Sequence, residues 1–254
     1  MTKTPDEIAG IRQAGRIVAG ALACAGAEVR PGVTLEHLAR VCDQYIRDCG
    51  GYPTFLRYRG FPAPVCVSLN AEVVHGIPDT RVLVAGDIVK LDVGVTKDGL
   101  IADAARTFAV GTITPELRQL IAVTEKSFWA GAEQARAGKH VSDIGHAVQR
   151  CVERHGYSIV RDLCGHGVGR ALHEEPSVPN FGPAGRGVRL VAGMILAIEP
   201  MVNLGGPEVV TASNGWTVLA RDGRPSAHYE NTVLVTAGEP EILTAAPASA
   251  DQTS

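Results

Sequence analysis

The sequence predicts an α+β fold made of two similar αβ halves, with a chemical site at the seam between them. Three observations carry this reading. Helical apolar periodicity occurs twice, and each time strand-like segments follow it. The second helix of each half repeats at an offset of 106 residues: Gly32 matches Gly138, Leu35 matches Val141, Leu38 matches Ile144, Ile46 matches Val152 and Gly50 matches Gly156. Both helices thus carry one apolar stripe between the same two glycines. The residues that stand out chemically are also divided, Asp92 and Asp103 falling in the first half and His166, Glu199 and Glu230 in the second.

The elements follow in order. Residues 5–28 read as a helix with Asp6 and Glu7 at its start and Ile8, Ile11, Ile17 and Val18 on one face. The run Ile17 to Ala23 behind Arg12 and Arg16 mimics an export signal, but it is short, broken by Gly20 and preceded by acids, so it is assigned to the helix. A second helix spans 34–48, opened by Thr34 with Glu36 in its first turn and stopped by Gly50 and Gly51. Segments 64–70, 87–95 and 100–110 read as strands, 115–136 and 141–155 as helices, and 156–235 as strands and loops. One domain is expected over 1–243, with halves at about 1–110 and 111–243, and Thr244 to Ser254 are expected to form a loose tail of small and polar residues.

Composition narrows the function. With 254 residues and 45% hydrophobic side chains, the core is ample. A net charge of −3 and no basic cluster give no electrostatic footprint for nucleic acid, and no run approaches the ~20 apolar residues of a membrane span. Six cysteines with no CxxC fit neither a zinc-thiolate knuckle nor a disulfide framework, which favours a reducing cytoplasm. The expected ligand is a small molecule or a peptide.

The chemistry begins at a hairpin. Ile88 to Val95 is an apolar strand interrupted by Asp92, and Lys97-Asp98-Gly99 reads as its turn before Ile101-Ala102-Asp103. A two-residue turn puts Asp103 opposite Gly94 and diagonal to Asp92 on one face, whereas a longer bulged loop would flip Asp103 to the other face. Two acids that close repel unless a cation lies between them. His166, Glu199 and Glu230 complete a candidate shell of four carboxylates and one imidazole. Oxygen donors with one imidazole and no thiolate suit Mn, Fe, Co or Zn.

The neighbourhoods of these residues resemble the methionine aminopeptidases, specifically the short bacterial type I form. The motifs are Val74-His75-Gly76-Ile77-Pro78, Leu91-Asp92-Val93-Gly94, Cys164-Gly165-His166-Gly167-Val168-Gly169-Arg170, Ile198-Glu199-Pro200-Met201, and Gly215-Trp216-Thr217 before Tyr229-Glu230-Asn231-Thr232, in one order along nearly the whole chain. The resemblance implies the pita-bread fold and a dinuclear centre. Asp92 would then be a ligand of one metal, His166 and Glu199 of the other, with Asp103 and Glu230 bridging. It further implies that a metal-activated hydroxide attacks the first peptide bond, that Glu199 takes the proton of the attacking water, that His173 contacts the scissile amide, and that His75 contacts substrate and helps shuttle protons. Tyr58, Phe61, Cys66 and Trp216 would wall a pocket for the methionine thioether. The implied partner is the N-terminal methionine of nascent peptides with a small second residue, acted on by a cytoplasmic monomer in transient proximity to ribosomes.

Three places depart from the family pattern: Ile101-Ala102 where His-Gly is frequent, Leu172 where an aromatic is common, and Phe61 where tyrosine is common. None removes a ligand. Two alternatives stand beside this reading: a related pita-bread aminopeptidase of other specificity, such as the proline-directed enzymes that carry a separate N-terminal domain, and a non-catalytic pita-bread protein that binds peptides. Gly165, Gly167 and Gly169 lack the lysine of a phosphate loop and are expected to permit close backbone packing around His166. His37, His140, His146 and His155 are expected in ordinary surface or core positions, and His228 is left without a role.

Overall fold

Thr4 opens helix α1 (Pro5–Ala27) through a capping box: its hydroxyl accepts from the Glu7 amide at 3.3 Å, and the Glu7 carboxylate accepts from the Thr4 amide at 2.8 Å. The computed structural model describes residues 1–245. Thr34 caps α2 (Leu35–Asp48) with its hydroxyl alone, which accepts from the His37 amide at 3.2 Å. Strands β1 (Tyr52–Pro53), β2 (Cys66–Leu69) and β3 (Glu72–Val74) lead to the long hairpin of β4 (Ile88–Lys97) and β5 (Leu100–Ala109). Its turn residues Asp98 and Gly99 have φ of 50° and 79°, the paired left-handed conformation of a two-residue hairpin turn.

The second half starts with α3 (Pro115–Ala132), capped by Thr114, and α4 (Val141–Glu153), whose Asp143 carboxylate accepts from the His140 amide. Short strands follow: β6 (Ser158–Ile159), β7 (Gly165–Gly167), β8 (Glu174–Val178), β9 (Ile195–Ile198), β10 (Met201–Asn203), β11 (Val209–Thr211), β12 (Val218–Ala220), β13 (Ser226–His228), β14 (Asn231–Leu234) and β15 (Glu241–Ile242). Helix α3 stops four residues before its expected end at 136, because the Ala137 amide leaves to bond the Thr236 carbonyl at 2.8 Å. The internal repeat is geometric. Gly32 and Gly138 have φ of 90° and 94°, Gly50 and Gly156 have 69° and 78°, and the matched apolar residues of α2 and α4 are all buried.

Strand β4 is the spine of the first sheet, pairing antiparallel with β1, β2 and β5, and α1 packs on β4, β5 and α2. The run Ile17 to Leu22 lies within α1, and Ile17, Val18, Ala21 and Leu22 join the core of that layer. In the second half a five-stranded antiparallel sheet runs in the order β15, β14, β9, β7, β8. Phe128 of α3 and Ile144 of α4 share a core with Leu196, Ile198 and Val233 of that sheet. Each fully buried side chain of this kind contributes about 1.5–3 kcal/mol.

Hydrogen bonds sew the halves together. The Ala105 amide donates to the Glu230 carbonyl at 3.3 Å and the Glu230 amide to the Ala105 carbonyl at 3.0 Å. Lys90, 1% exposed, donates from Nζ to the carbonyls of Asn70 at 2.6 Å and Ser226 at 3.1 Å. Thr244, expected to start the tail, is instead buried with its hydroxyl between the Thr232 amide and Asn231 Oδ1; the rest of that expectation, over residues 246–254, lies outside the described residues. No helix among the described residues is long and apolar enough to cross a membrane.

Candidate metal centre

Register places the two aspartates. Gly94 pairs with Asp103 and Asp92 with Ala105, so the acids are diagonal neighbours on one face, and the bulged alternative does not occur. Asp92 also pairs with Cys66 across β2, which puts the thiol on the same face. The paired bonds between Ala105 and Glu230 bring the Glu230 side chain to this face from the other half. The Thr232 hydroxyl accepts from the Asp103 amide at 3.0 Å and lies 3.2 Å from Asp103 Oδ1.

His166 arrives on β7, where closeness requires glycine on both sides of it. A Cβ on Gly165 would lie 2.3 Å from the Ala197 carbonyl oxygen, and one on Gly167 would lie 2.4 Å from that of Glu175. The imidazole Nδ1 is 3.0 Å from the Gly167 carbonyl, an arrangement in which Nδ1 carries the proton and Nε2 turns a lone pair toward the acids. That Nε2 is 3.6 Å from Asp103 Oδ2 and 3.5 Å from Glu199 Oε1. Glu199 follows β9, its carbonyl held by Asn180 Nδ2 at 2.9 Å.

Asp103, His166 and Glu230 each offer a ligand atom within 4.8 Å of one another. Burial pushes the Asp103 carboxyl up to about 7, with the Thr232 hydrogen bond opposing the shift. Burial first, and then repulsion from the neighbouring acids, hold Asp92, Glu199 and Glu230 well above the usual carboxylate range. Asp92 Oδ1 is buried without a hydrogen-bond partner. These are the marks of a cluster missing a positive charge, and the donor set of carboxylate oxygens and one imidazole fits a divalent cation. The Cys66 thiol is pushed well above its ordinary pKa by burial and then by Asp92 and Glu230, so it stays protonated.

Above the acids opens a cavity of about 200 Å³, lined by every side chain the sequence assigned to the site. Phe61 meets Trp216 edge to face at 5.2 Å, and Tyr58 Oη lies 2.8 Å from His173 Nδ1. The His173 ring lies tilted at 57° to the His166 ring with centroids 4.3 Å apart; burial and then the neighbouring His166, Arg59 and His75 lower its pKa to about 4. His75 holds a left-handed φ of 58°, a conformation costing about 1–3 kcal/mol in a non-glycine residue, and burial lowers its pKa.

Phe55 and Arg59 also line the cavity and were not anticipated. Gly94 carried a signal for Phe55, since a Cβ there would lie 2.6 Å from the Phe55 ring, and a glycine inside a strand marks such an approach. Arg59 sits in a left-handed turn that leaves no pattern in sequence. His228 is the other omission: it is 1% exposed, with Nε2 3.9 Å from both Glu199 Oε2 and Glu230 Oε2. Of the departures, Ile101, Ala102 and Leu172 are buried core residues, and Phe61 is the partner of Trp216. His37, His140, His146 and His155 lie outside the cavity lining, bonded or charge-paired on or beside their helices.

Comparison with known proteins agrees with this geometry. The model of metallopeptidase family M24 matches residues 9–237. A methionine aminopeptidase of Clostridium perfringens is 49% identical over 242 residues, 95% of this chain and 97% of the relative. The crystal structure of a methionine aminopeptidase from Thermotoga maritima superposes with a TM-score of 0.95 at 41% identity, covering 96% of this chain and 98% of that one. A prolidase from Pyrococcus furiosus, 21% identical with a TM-score of 0.77 over 97% of this chain and 66% of its own, shares the fold alone. The two αβ halves are therefore the pita-bread fold, and the chain belongs to metallopeptidase family M24 and, within it, to the methionine aminopeptidases.

Proposed function

We propose that this chain removes the N-terminal methionine from polypeptides with a small second residue, using two divalent ions. The observation that carries this reading is the convergence of three buried acids, the half-buried Glu199 and His166 beneath a cavity walled by aromatic rings and a thiol. Asp92 would hold one ion, His166 and Glu199 the other, and Asp103 and Glu230 both. When bound, such ions supply a nucleophilic water near neutral pH and Lewis-acid polarisation of a carbonyl. Mn, Fe, Co and Zn all accept this shell.

The chain's own groups do the rest. Glu199, whose carboxyl is raised by burial, accepts the proton of the attacking water. With the Tyr58 hydroxyl donating to Nδ1, a neutral His173 keeps its proton on Nε2 and can present it to the oxyanion that develops at the scissile carbonyl. His75, kept neutral by burial, is suited to pass a proton to the leaving amine. Tyr58, Phe61, Cys66 and Trp216 contact the methionine side chain, where sulfur and ring edges attract. Nascent chains as substrates imply work in the cytoplasm, in passing near ribosomes.

The test is release of free methionine from Met-Ala-Ser and Met-Lys-Ser by chelated protein, with each divalent metal added back anaerobically. Metal-dependent cleavage of the first peptide and not the second is expected. Silence with every metal from a folded protein would overturn the reading in favour of a peptide-binding protein.

A further inference from the structure

His228 is buried beside Glu199 and Glu230 and outside the cavity lining, yet neither ring nitrogen has a hydrogen-bond partner. Buried polar groups rarely stay in that state. Its backbone is pinned on both sides by one residue: the His228 amide donates to Thr107 Oγ1 at 3.0 Å, and the Thr107 hydroxyl donates to the His228 carbonyl at 2.8 Å. Along the extended chain His228 and Glu230 project to one side, while Tyr229 turns the other way under the Arg106 guanidinium. Pairing of His228 with Met201 sets it diagonal to Glu199, two residues before Met201. The result is a nitrogen 3.9 Å from one oxygen of each of two carboxylates, longer than a hydrogen bond but within ion-pair range of both.

We propose that His228 is a positioning residue for the metal centre: its Nε2–H donates to the carboxylates of Glu199 and Glu230 and fixes the rotamers in which they present their other oxygens to the ions. A neutral imidazole has one N–H to give, and these are the acceptors it faces. The donor also takes up part of the negative charge on Glu199 and Glu230 from the side away from the metals, as an outer partner of a ligating carboxylate does. The inference rests on the metal-centre reading above.

The test is calorimetric titration of chelated wild type, His228→Ala and His228→Gln with Zn²⁺, with thermal melts of the metal-free proteins alongside. Loss of a partner of this kind weakens metal binding roughly 10–100-fold, so His228→Ala should show that loss while His228→Gln, which keeps an N–H at similar reach, stays within about threefold of wild type. In the Zn²⁺-loaded wild type, nitrogen-15 spectra of the ring should show the proton on Nε2. Wild-type affinity in His228→Ala, an equal loss in His228→Gln, or a proton on Nδ1 would each overturn the proposal. If His228→Ala does not fold, His228→Gln and the ring spectrum decide. Failure of the wild type itself to bind Zn²⁺ would strike the metal-centre reading instead, and none of these readouts depends on turnover.

Discussion

At the scale of single residues, Asp103 is one of four acids whose raised carboxyls set how the metal-free centre responds to pH. Its carboxyl is raised from 3.8 to about 7 in the folded chain, so folding takes up a proton. The stability this provides is fully present below the unfolded value and is lost as pH rises through the folded one. In chelated protein, Asp103→Asn removes Asp103's share of that dependence, and its melting temperature should gain on the wild type as pH rises from about 4 to about 7. Saturating Mn²⁺ at pH 8 should reverse the order. Glu230→Ala is expected to abolish binding of two ions, measured as metal per chain after dialysis. His173→Ala should retain its metal while kcat/KM falls by roughly 10²–10³, the usual worth of one hydrogen-bond donor to the oxyanion. Normal turnover in that variant would remove His173 from the mechanism.

At the scale of elements, legibility followed sequence distance. The β4–β5 hairpin was readable because the Asp98-Gly99 turn and the face of Asp92 lie within a dozen residues, and the register came out with Asp103 opposite Gly94. The α2–α4 repeat was readable because stripe and stop glycines recur at fixed spacing. The end of α3 was not, since it is set by a bond from Ala137 to Thr236, about a hundred residues away. Thr244 looked like tail for the same reason: its partners, Asn231 and Thr232, are chosen by the fold. At the site, the metal-ligand candidates stood out by type and motif, whereas His228 did not, because only the crossing of two strands puts it between Glu199 and Glu230. The β7 glycines give a test at this scale. Gly165→Ala forces a methyl group to 2.3 Å from the Ala197 carbonyl, so β7 must leave β9 and carry His166 with it. A loss of about 1–3 kcal/mol in thermal stability is expected, together with weakened metal binding.

At the scale of the molecule, neither half holds the candidate centre alone, because Asp92 and Asp103 come from the first and His166, Glu199 and Glu230 from the second. Metal should therefore act as a fastener for the whole chain. An ion at a hundred times its dissociation constant adds about 2.7 kcal/mol, which for a chain of this size raises the melting temperature by roughly 5–10 °C in calorimetry with and without metal. An unchanged transition would mean that the ions bind folded and unfolded chains alike.

The main-chain pair between Ala105 and Glu230 has a further consequence for how ligands arrive. This joint of backbone bonds ties the two halves together directly beside the acids. Peptides and inhibitors then meet a cavity shaped before they arrive, past Tyr58, His173 and Trp216, and preformed shape lowers the ordering cost of binding. Selectivity then falls to the contour of the opening, and the rim residues rather than any motion of the halves are where a discriminating inhibitor finds its purchase.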